Sequence, residues 1–371
     1  MTINEKQFTQ EELPFLSSAV SVCAYAESGD TASGLETQLM RPVFYDIETT
    51  GLSAARSHVY LIGVLYFDGV LWQLRQWLAG SKEEEPEVLG AFSSLLHELS
   101  VLAITGSEAG RYVCIDFNGT TFDRPFLKKR FAACCMADPL EELPFLDLFR
   151  LFSPLKKLLS LSSFRQTDLE GCMMRLPRMY PDGRDCIRVL HSYEKSPAEG
   201  SLRVLLGHNE EDLSGLLAVT ALYPLLELCK GRIGEKHDNS VSTCWKLTDA
   251  KSDGISVGFT LTCSRNIPAA IRLDGDEWSL HSLTEPSVLV FTVRLESGQL
   301  RQFYPNYKEY DYLPDEDTAV PKAISRFLDR SLKKPSTRDT CYTWFPCTEE
   351  FLEQPQEQLT YLRNAFLYYL S

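Results

Sequence analysis

Two acids set into one apolar run carry the first chemical signal in this sequence. In Val43-Phe44-Tyr45-Asp46-Ile47-Glu48-Thr49-Thr50-Gly51, a strand would alternate its faces, so Asp46 and Glu48 project to the same side. Phe44, Tyr45 and Ile47 anchor that strand, and Thr50-Gly51 turns the chain away at its end. Two carboxylates so placed repel unless a cation sits between them. A hard divalent ion, Mg²⁺ or Mn²⁺, prefers such oxygen ligands. The plainer alternative is an acidic strand end facing solvent.

Two further stretches could add to this chemistry. A strand expected over 112–115 runs into Asp116-Phe117-Asn118-Gly119-Thr120-Thr121-Phe122-Asp123. Here Asn118-Gly119 is a turn dipeptide, and Asp123 opens an apolar, basic helix through Phe131. Read alone, Asp123 is a helix N-cap, and Asp116 is an alternative ligand. Asp147, in Leu146-Asp147-Leu148, stands where a strand end passes into a helix; a capping or surface role leads there over an orienting one. In Gly207-His208-Asn209-Glu210-Glu211-Asp212-Leu213, His208 and Asp212 are four apart and share a face if the helix already includes His208. Asn209 followed by Asp212 is also a capping arrangement.

Other elements position these groups. Val59–Phe67 and Val70–Leu78 flank Asp68-Gly69 and predict a hairpin. A charged turn at 81–87, with Ser81 and Glu84 suiting a helix start, leads into Val88, Leu89, Phe92, Leu95, Leu96 and Leu99 at helical spacing. A short helix over 162–175, a polar connection from Pro177 to Gly200 holding Pro181-Asp182-Gly183, and an apolar helix through Leu228 follow. Residues 1–40, with breakers near 28–34, read as an irregular arm, 41–232 as the main domain, and 243–371 as a smaller α+β module beyond a polar connector. That module is expected to hold strands near 255–263, 269–273, 278–283, 288–295 and 300–304, then helices over 318–332 and 349–370. Phe303, Tyr304, Tyr307, Tyr310 and Tyr312 could stack bases, but neighbouring acids favour an internal packing role.

In their order along the chain, the three motifs Asp46-Ile-Glu48-Thr-Thr-Gly51, Asn118-Gly-x-x-Phe122-Asp123 and His208-Asn-x-x-Asp212 resemble those of the DEDD exonucleases of the ribonuclease H-like superfamily. Over Arg41–Lys230 they are most similar to the YprB-type ribonuclease H-like domain, and Leu169-Glu170 resembles a Leu-Glu step of one branch. The resemblance implies an α/β fold, a ribonuclease H-like mixed sheet with flanking helices. It implies Asp46, Glu48, Asp123 and Asp212 as ligands of two Mg²⁺ or Mn²⁺ ions, with His208 as general base. Thr49 and Thr50, through their backbone, and Asn118 and Phe122 would meet the substrate, the 3′ end of single-stranded DNA or RNA, in 3′ to 5′ hydrolysis. One departure stands out: the histidine subtype sets its base five positions before the last Asp, whereas here His208 stands four before it, where the tyrosine subtype has Tyr. A non-catalytic nucleic-acid or protein binding module, and an endonuclease using the same site, are the alternatives.

Composition narrows the class. The chain has 371 residues, 44% of them hydrophobic, enough for sizeable cores. Eleven cysteines without a C-x-x-C pair predict reduced thiols in a cytoplasmic protein. Residues 13–25 fall short of the ~20 apolar residues a membrane span needs, and no membrane segment is expected. A net charge of −14 opposes the wrapping of long duplexes and suits a small footprint on nucleic acid.

Overall fold

The computed structural model describes residues 1–28, 39–105, 110–173, 178–234, 244–283, 285 and 287–370. Two compact units divide it: 1–153 with 164–223, and 154–163 with 224–371.

The first unit carries a six-stranded mixed sheet. Its strands β1 (Thr2–Phe8), β2 (Leu39–Thr49), β3 (Val59–Phe67), β4 (Trp72–Leu78), β5 (Gly110–Asp116) and β6 (Phe145–Asp147) lie in the order β1-β4-β3-β2-β5-β6. Pairing is antiparallel from β1 to β2 and parallel from β2 through β5 to β6. The uninterrupted apolar run of β3 is explained by burial of every residue before Phe67, as in a strand covered on both faces. At the β3–β4 turn Gly69 takes φ 110°, and Asp68 Oδ1 accepts from the N–H groups of Val70 and Leu71 at 2.8 and 2.9 Å.

The helices of this unit are α1 (Leu16–Ser28), α2 (Glu85–Thr105), α3 (Asp123–Ala133) and α4 (Leu148–Leu151); α5 (Leu155–Leu158) belongs to the second unit. Val43, Tyr45 and Ile47 of β2 join the core made by Val88, Leu89, Phe92, Leu95, Leu96 and Leu99 of α2. Buried Glu85 ties three elements together, accepting from Val59 N at 2.8 Å and from both Nε and Nη2 of Arg130 at 2.8 and 2.5 Å. A carboxylate held by a fork of this kind fixes α3, and with it Asp123, against the sheet. The opposite face of the sheet receives α7 (Gly183–Lys195) and α8 (Glu199–Val219), and α6 (Gln166–Cys172) packs on α8.

Three expectations are corrected in this unit. The N-terminal residues are no irregular arm at their start, because Thr2–Phe8 pair residue for residue with Leu78–Trp72 as the edge strand. Gly183–Lys195, expected as connection, is a helix capped by Asp182, whose carboxylate accepts from Arg184 N and Asp185 N. Its core contacts Cys186, Val189, Leu190 and Tyr193 recur at helical spacing. The helix carrying His208 begins at Glu199, so Asn209 and Asp212 sit mid-helix and cannot cap it. The breakers at 29–34, Arg175, Pro177 and most of the connector at 231–242 lie outside the described residues. Among the described residues one helical run, Glu199–Cys229, is long and apolar enough to cross a membrane, and 89% of its most apolar window is buried within the protein.

Besides α5, the second unit takes α9 (Tyr223–Cys229) from Pro224 on and holds a five-stranded antiparallel sheet of β7 (Trp245–Ser252), β8 (Ser256–Cys263), β9 (Arg272–Asp274), β10 (Trp278–Ser282) and β11 (Val288–Arg294), ordered β7-β8-β11-β10-β9. β8 buries Val257, Phe259, Leu261 and Cys263 in strict alternation. β12 (Gln299–Phe303), β13 (Tyr310–Leu313), β14 (Thr318–Pro321), α10 (Lys322–Ser325), β15 (Lys334–Pro335), β16 (Tyr342–Pro346), α11 (Glu349–Glu353) and α12 (Pro355–Tyr369) complete the unit. The long helix expected over 318–332 is instead a strand followed by short turns, and that over 349–370 breaks before Pro355. Of the aromatic series, Phe303 is buried and stacks on Tyr368 at 3.6 Å, while Tyr304 and Tyr310, both half-buried, stack on each other at 5.0 Å.

Gly63 of β3, opposite Asp46 in register, makes the close approach of α8 possible. A Cβ there would overlap Asn209 Oδ1 and lie 2.7 Å from Leu213 Cδ1. Gly63→Ala is therefore expected to lower stability by about 1–3 kcal/mol, the cost of overpacking, read from urea denaturation midpoints at constant m.

Candidate active site

Strand β2 and helix α8 bring the first and last acids together. His208 Nε2 lies 3.1 Å from Glu48 Oε1 and 3.3 Å from Asp212 Oδ2. The donor atoms of Glu48, His208 and Asp212 all fall within 4.8 Å of one another. Asn209, fully buried one residue on, donates to Asp46 Oδ2 at 2.8 Å. Behind it runs a chain of amides: Asn4 donates to Gln76 Oε1, and Gln76 Nε2 donates to Asn209 Oδ1, each at 2.8 Å. The edge strand β1 thereby helps orient the carboxyl of Asp46 on β2.

The turn before α3 delivers Asp123. Asn118 takes φ 64°, which Asn tolerates better than most residues. A Cβ on Gly119 would overlap the Asp116 carboxylate. Two buried acids gather the N–H groups of this turn. Asp116 Oδ1 accepts from Gly119 at 3.2 Å, while Asp147 accepts from Asn118 at 2.8 Å and from Thr120 at 3.3 Å. Asp116 also receives the Tyr45 hydroxyl at 2.7 Å, and Asp147 caps α4 through Phe149 N. Both acids are thus clamps, and the alternative of Asp116 as a ligand is replaced by this role. Asp123 is the first residue of α3 and makes no capping bond, so the N-cap reading fails for it.

Charge crowding sets the protonation of the group. Burial pushes Asp46 well above the usual carboxylate range, and Asp212, Glu48 and Asp123 add repulsion, against which the Asn209 bond works. Asp123 is pushed up to about 8 by burial, with Asp116, Glu48 and Asp147 contributing. Burial also raises Asp212, opposed by Arg178 and His208. Burial would lower His208, but its bond to Glu48 and the charges of Glu48 and Asp212 carry it above its ordinary value. When protonated, His208 between two acids is the counter-charge of the site.

Several residues here escaped the sequence reading. Arg178 bridges Asp212 and Glu170, the latter at 2.8 Å. Glu211 fixes its position by accepting from Met179 N at 2.7 Å and Tyr180 N at 3.2 Å. The Tyr60 hydroxyl donates to Glu48 Oε2 at 3.4 Å. Gly183, at the start of α7, comes so near that a Cβ on it would stand 3.8 Å from both Glu48 Oε2 and His208 Nε2. The apolar spacing of α7 was a usable signal for Gly183; an isolated arginine offered none. Of the expected substrate contacts, Thr50 has its N–H bonded to His58 O at 3.0 Å. Thr49 Oγ1 donates to Gly51 O at 3.1 Å, Asn118 forms the turn, and Phe122 packs half-buried beside Phe126.

A mixed sheet with acids on its central strand, closed by a helix that returns the last acid to them, is the architecture of a ribonuclease H-like domain. Residues 43–223 match the family model RNase_H_2, described as RNase_H superfamily, and the domain they form is ribonuclease H-like. No curated protein matches the chain.

The raised acids fix a pH dependence. Asp46 and Asp123 hold protons in the fold that they release on unfolding near pH 4. Their contribution to stability is therefore full below pH ~4 and is lost as pH rises, for Asp123 through about 8. In chelator, the denaturation midpoint should fall between pH 5 and 8. Asp123→Asn should flatten that fall and gain about 1 kcal/mol or more at pH 8.

Proposed function

We propose that this protein is a metal-dependent exonuclease that shortens single-stranded DNA or RNA from the 3′ end. The observation that supports it is the convergence of Glu48, His208 and Asp212 within 4.8 Å, beside Asp46 and Asp123, inside a ribonuclease H-like domain. Four carboxyl groups that repel one another form an oxygen donor set suited to Mg²⁺ or Mn²⁺. Asp46, Glu48, Asp123 and Asp212 would hold those ions, which supply charge neutralisation at the scissile phosphate and lower the pKa of a water.

The chain's own groups do the rest. His208 is the proton carrier: Nε2, which holds a proton toward Glu48 and Asp212 in the free site, would accept the proton of the attacking water once its own proton has left. Its place four residues before Asp212 suits this role because both lie on one face of α8. Tyr60 stays a neutral hydroxyl, since burial and then Glu48 raise it, and it orients Glu48. Asn209 fixes the carboxyl of Asp46, and the Asp116 and Asp147 clamps hold the turn that presents Asp123. A cytoplasmic setting, with the eleven cysteines reduced, completes the proposal.

The test uses 5′-labelled single strands of RNA and DNA with Mg²⁺ or Mn²⁺. A ladder shortening from the 3′ end, stopped by a 3′ block and abolished in Asp46→Ala, is expected. His208→Gln should lower kcat by ~10²–10⁴-fold with a folded protein. Internal cuts that ignore the block would make the enzyme an endonuclease. Retained cleavage in Asp46→Ala would overturn the site.

A further inference from the structure

The second unit carries a basic projection in an acidic protein. The chain as a whole bears −14, yet Lys322–Lys334 contains five cations and one acid, Asp329, a net of +4. β13 pairs with β14 on one side and β15 on the other, so the segment between Pro321 and Lys334 leaves the sheet and returns to it. Its base is pinned. Fully buried Ser325 donates to Asp311 Oδ2 at 2.6 Å, and Lys333 Nζ stands 3.4 Å from the same carboxylate. Lys322 Nζ donates to Lys308 O at 2.6 Å on the flank.

Above that base the segment turns the wrong residues outward for a core. Phe327 is 77% exposed, and Leu328 and Leu332 are exposed with it. The Arg326 guanidinium lies 4.6 Å from the centre of the Phe327 ring. Among the described residues, Arg326, Arg330 and Lys334 form no ion pair within 4 Å with an acid. A folded chain gains nothing from holding apolar side chains beside unpaired cations in water, whereas a polyanion with flat apolar faces meets both.

We propose that the 322–334 projection binds single-stranded nucleic acid, its cations meeting phosphates and Phe327 stacking on a base. Choosing this polymer over another polyanion rests on the nuclease reading of the first unit. Such a contact gives the acidic protein a grip on the strand that its carboxylate-rich site cannot supply.

The experiment measures fluorescence anisotropy of a labelled 20-mer single strand with the full chain in chelator, so that no cleavage occurs. Combined Arg326→Glu, Arg330→Glu and Lys334→Glu should weaken binding at least 10-fold and reduce the slope of log affinity against log salt by about 2, from ~0.7 per phosphate contact. Phe327→Ala should weaken it at least 5-fold, the equivalent of ~1 kcal/mol per stacked base. All four side chains are exposed, and unchanged melting curves verify the fold. Affinity and slope equal to the parent would overturn the proposal, as would binding by the parent, lost in the triple variant, to vesicles containing anionic lipid but not to the strand. Because binding is read without metal, it stands or falls separately from the cleavage assay. Strand binding that depends on the projection in a protein that cuts nothing would uphold this proposal and remove the nuclease reading.

Discussion

Repulsion among buried carboxyl groups is the constraint on which the first unit is built. Asp46, Glu48, Asp123 and Asp212 lie close together, and burial makes the charges of Asp46, Asp123 and Asp212 expensive. Without an ion, the protein neutralises them with what it has. His208 lies between Glu48 and Asp212, Arg178 pairs with Asp212, and raised affinities for protons keep Asp46 and Asp123 from ionising fully. Elements distant in sequence supply these counterweights, so the site requires the whole unit.

The same structure divides its acids by what their oxygens do. Asp116, Asp147 and Glu85 spend theirs on backbone N–H groups, a tyrosine hydroxyl or a guanidinium. Such acids are satisfied hydrogen-bond acceptors, and they hold β3, the 118–120 turn and α3 in place. Glu48 and Asp212 each turn one oxygen to His208 while Tyr60 and Arg178 take the other, Asp46 is held by Asn209, and Asp123 makes no capping bond. Acids bound to the backbone and to Arg130 build the scaffold, whereas the acids that repel one another are the ones a divalent cation would relieve.

That division explains what the sequence made legible. Asp46 and Glu48 could be assigned to one side of a strand because strand alternation is a local property, and β3 appeared with its observed bounds because its apolar run is uninterrupted. Asp116 and Asp123 stand in one motif, and only the Tyr45 and Gly119 bonds separate clamp from ligand candidate. Arg178 was invisible because its partners Glu170 and Asp212 are 8 and 34 residues away. The edge strand β1 was missed because its burial is slight and its pairing with β4 spans about 70 residues. In the second unit, local propensity suggested a helix over 318–332, but β13 recruits Thr318–Pro321 as a strand.

Calorimetric titration of the chelator-treated full chain with Mn²⁺, repeated at pH 7 in buffers of different ionisation enthalpy, asks directly whether the carboxyl cluster is a metal site. If divalent ions replace the protons now shared among Asp46, Asp123, Asp212 and His208, binding will saturate and release protons, so the apparent enthalpy will change with the buffer. No saturable binding, or saturable binding with the same enthalpy in every buffer, would contradict that exchange and leave the cluster without the chemistry assigned to it.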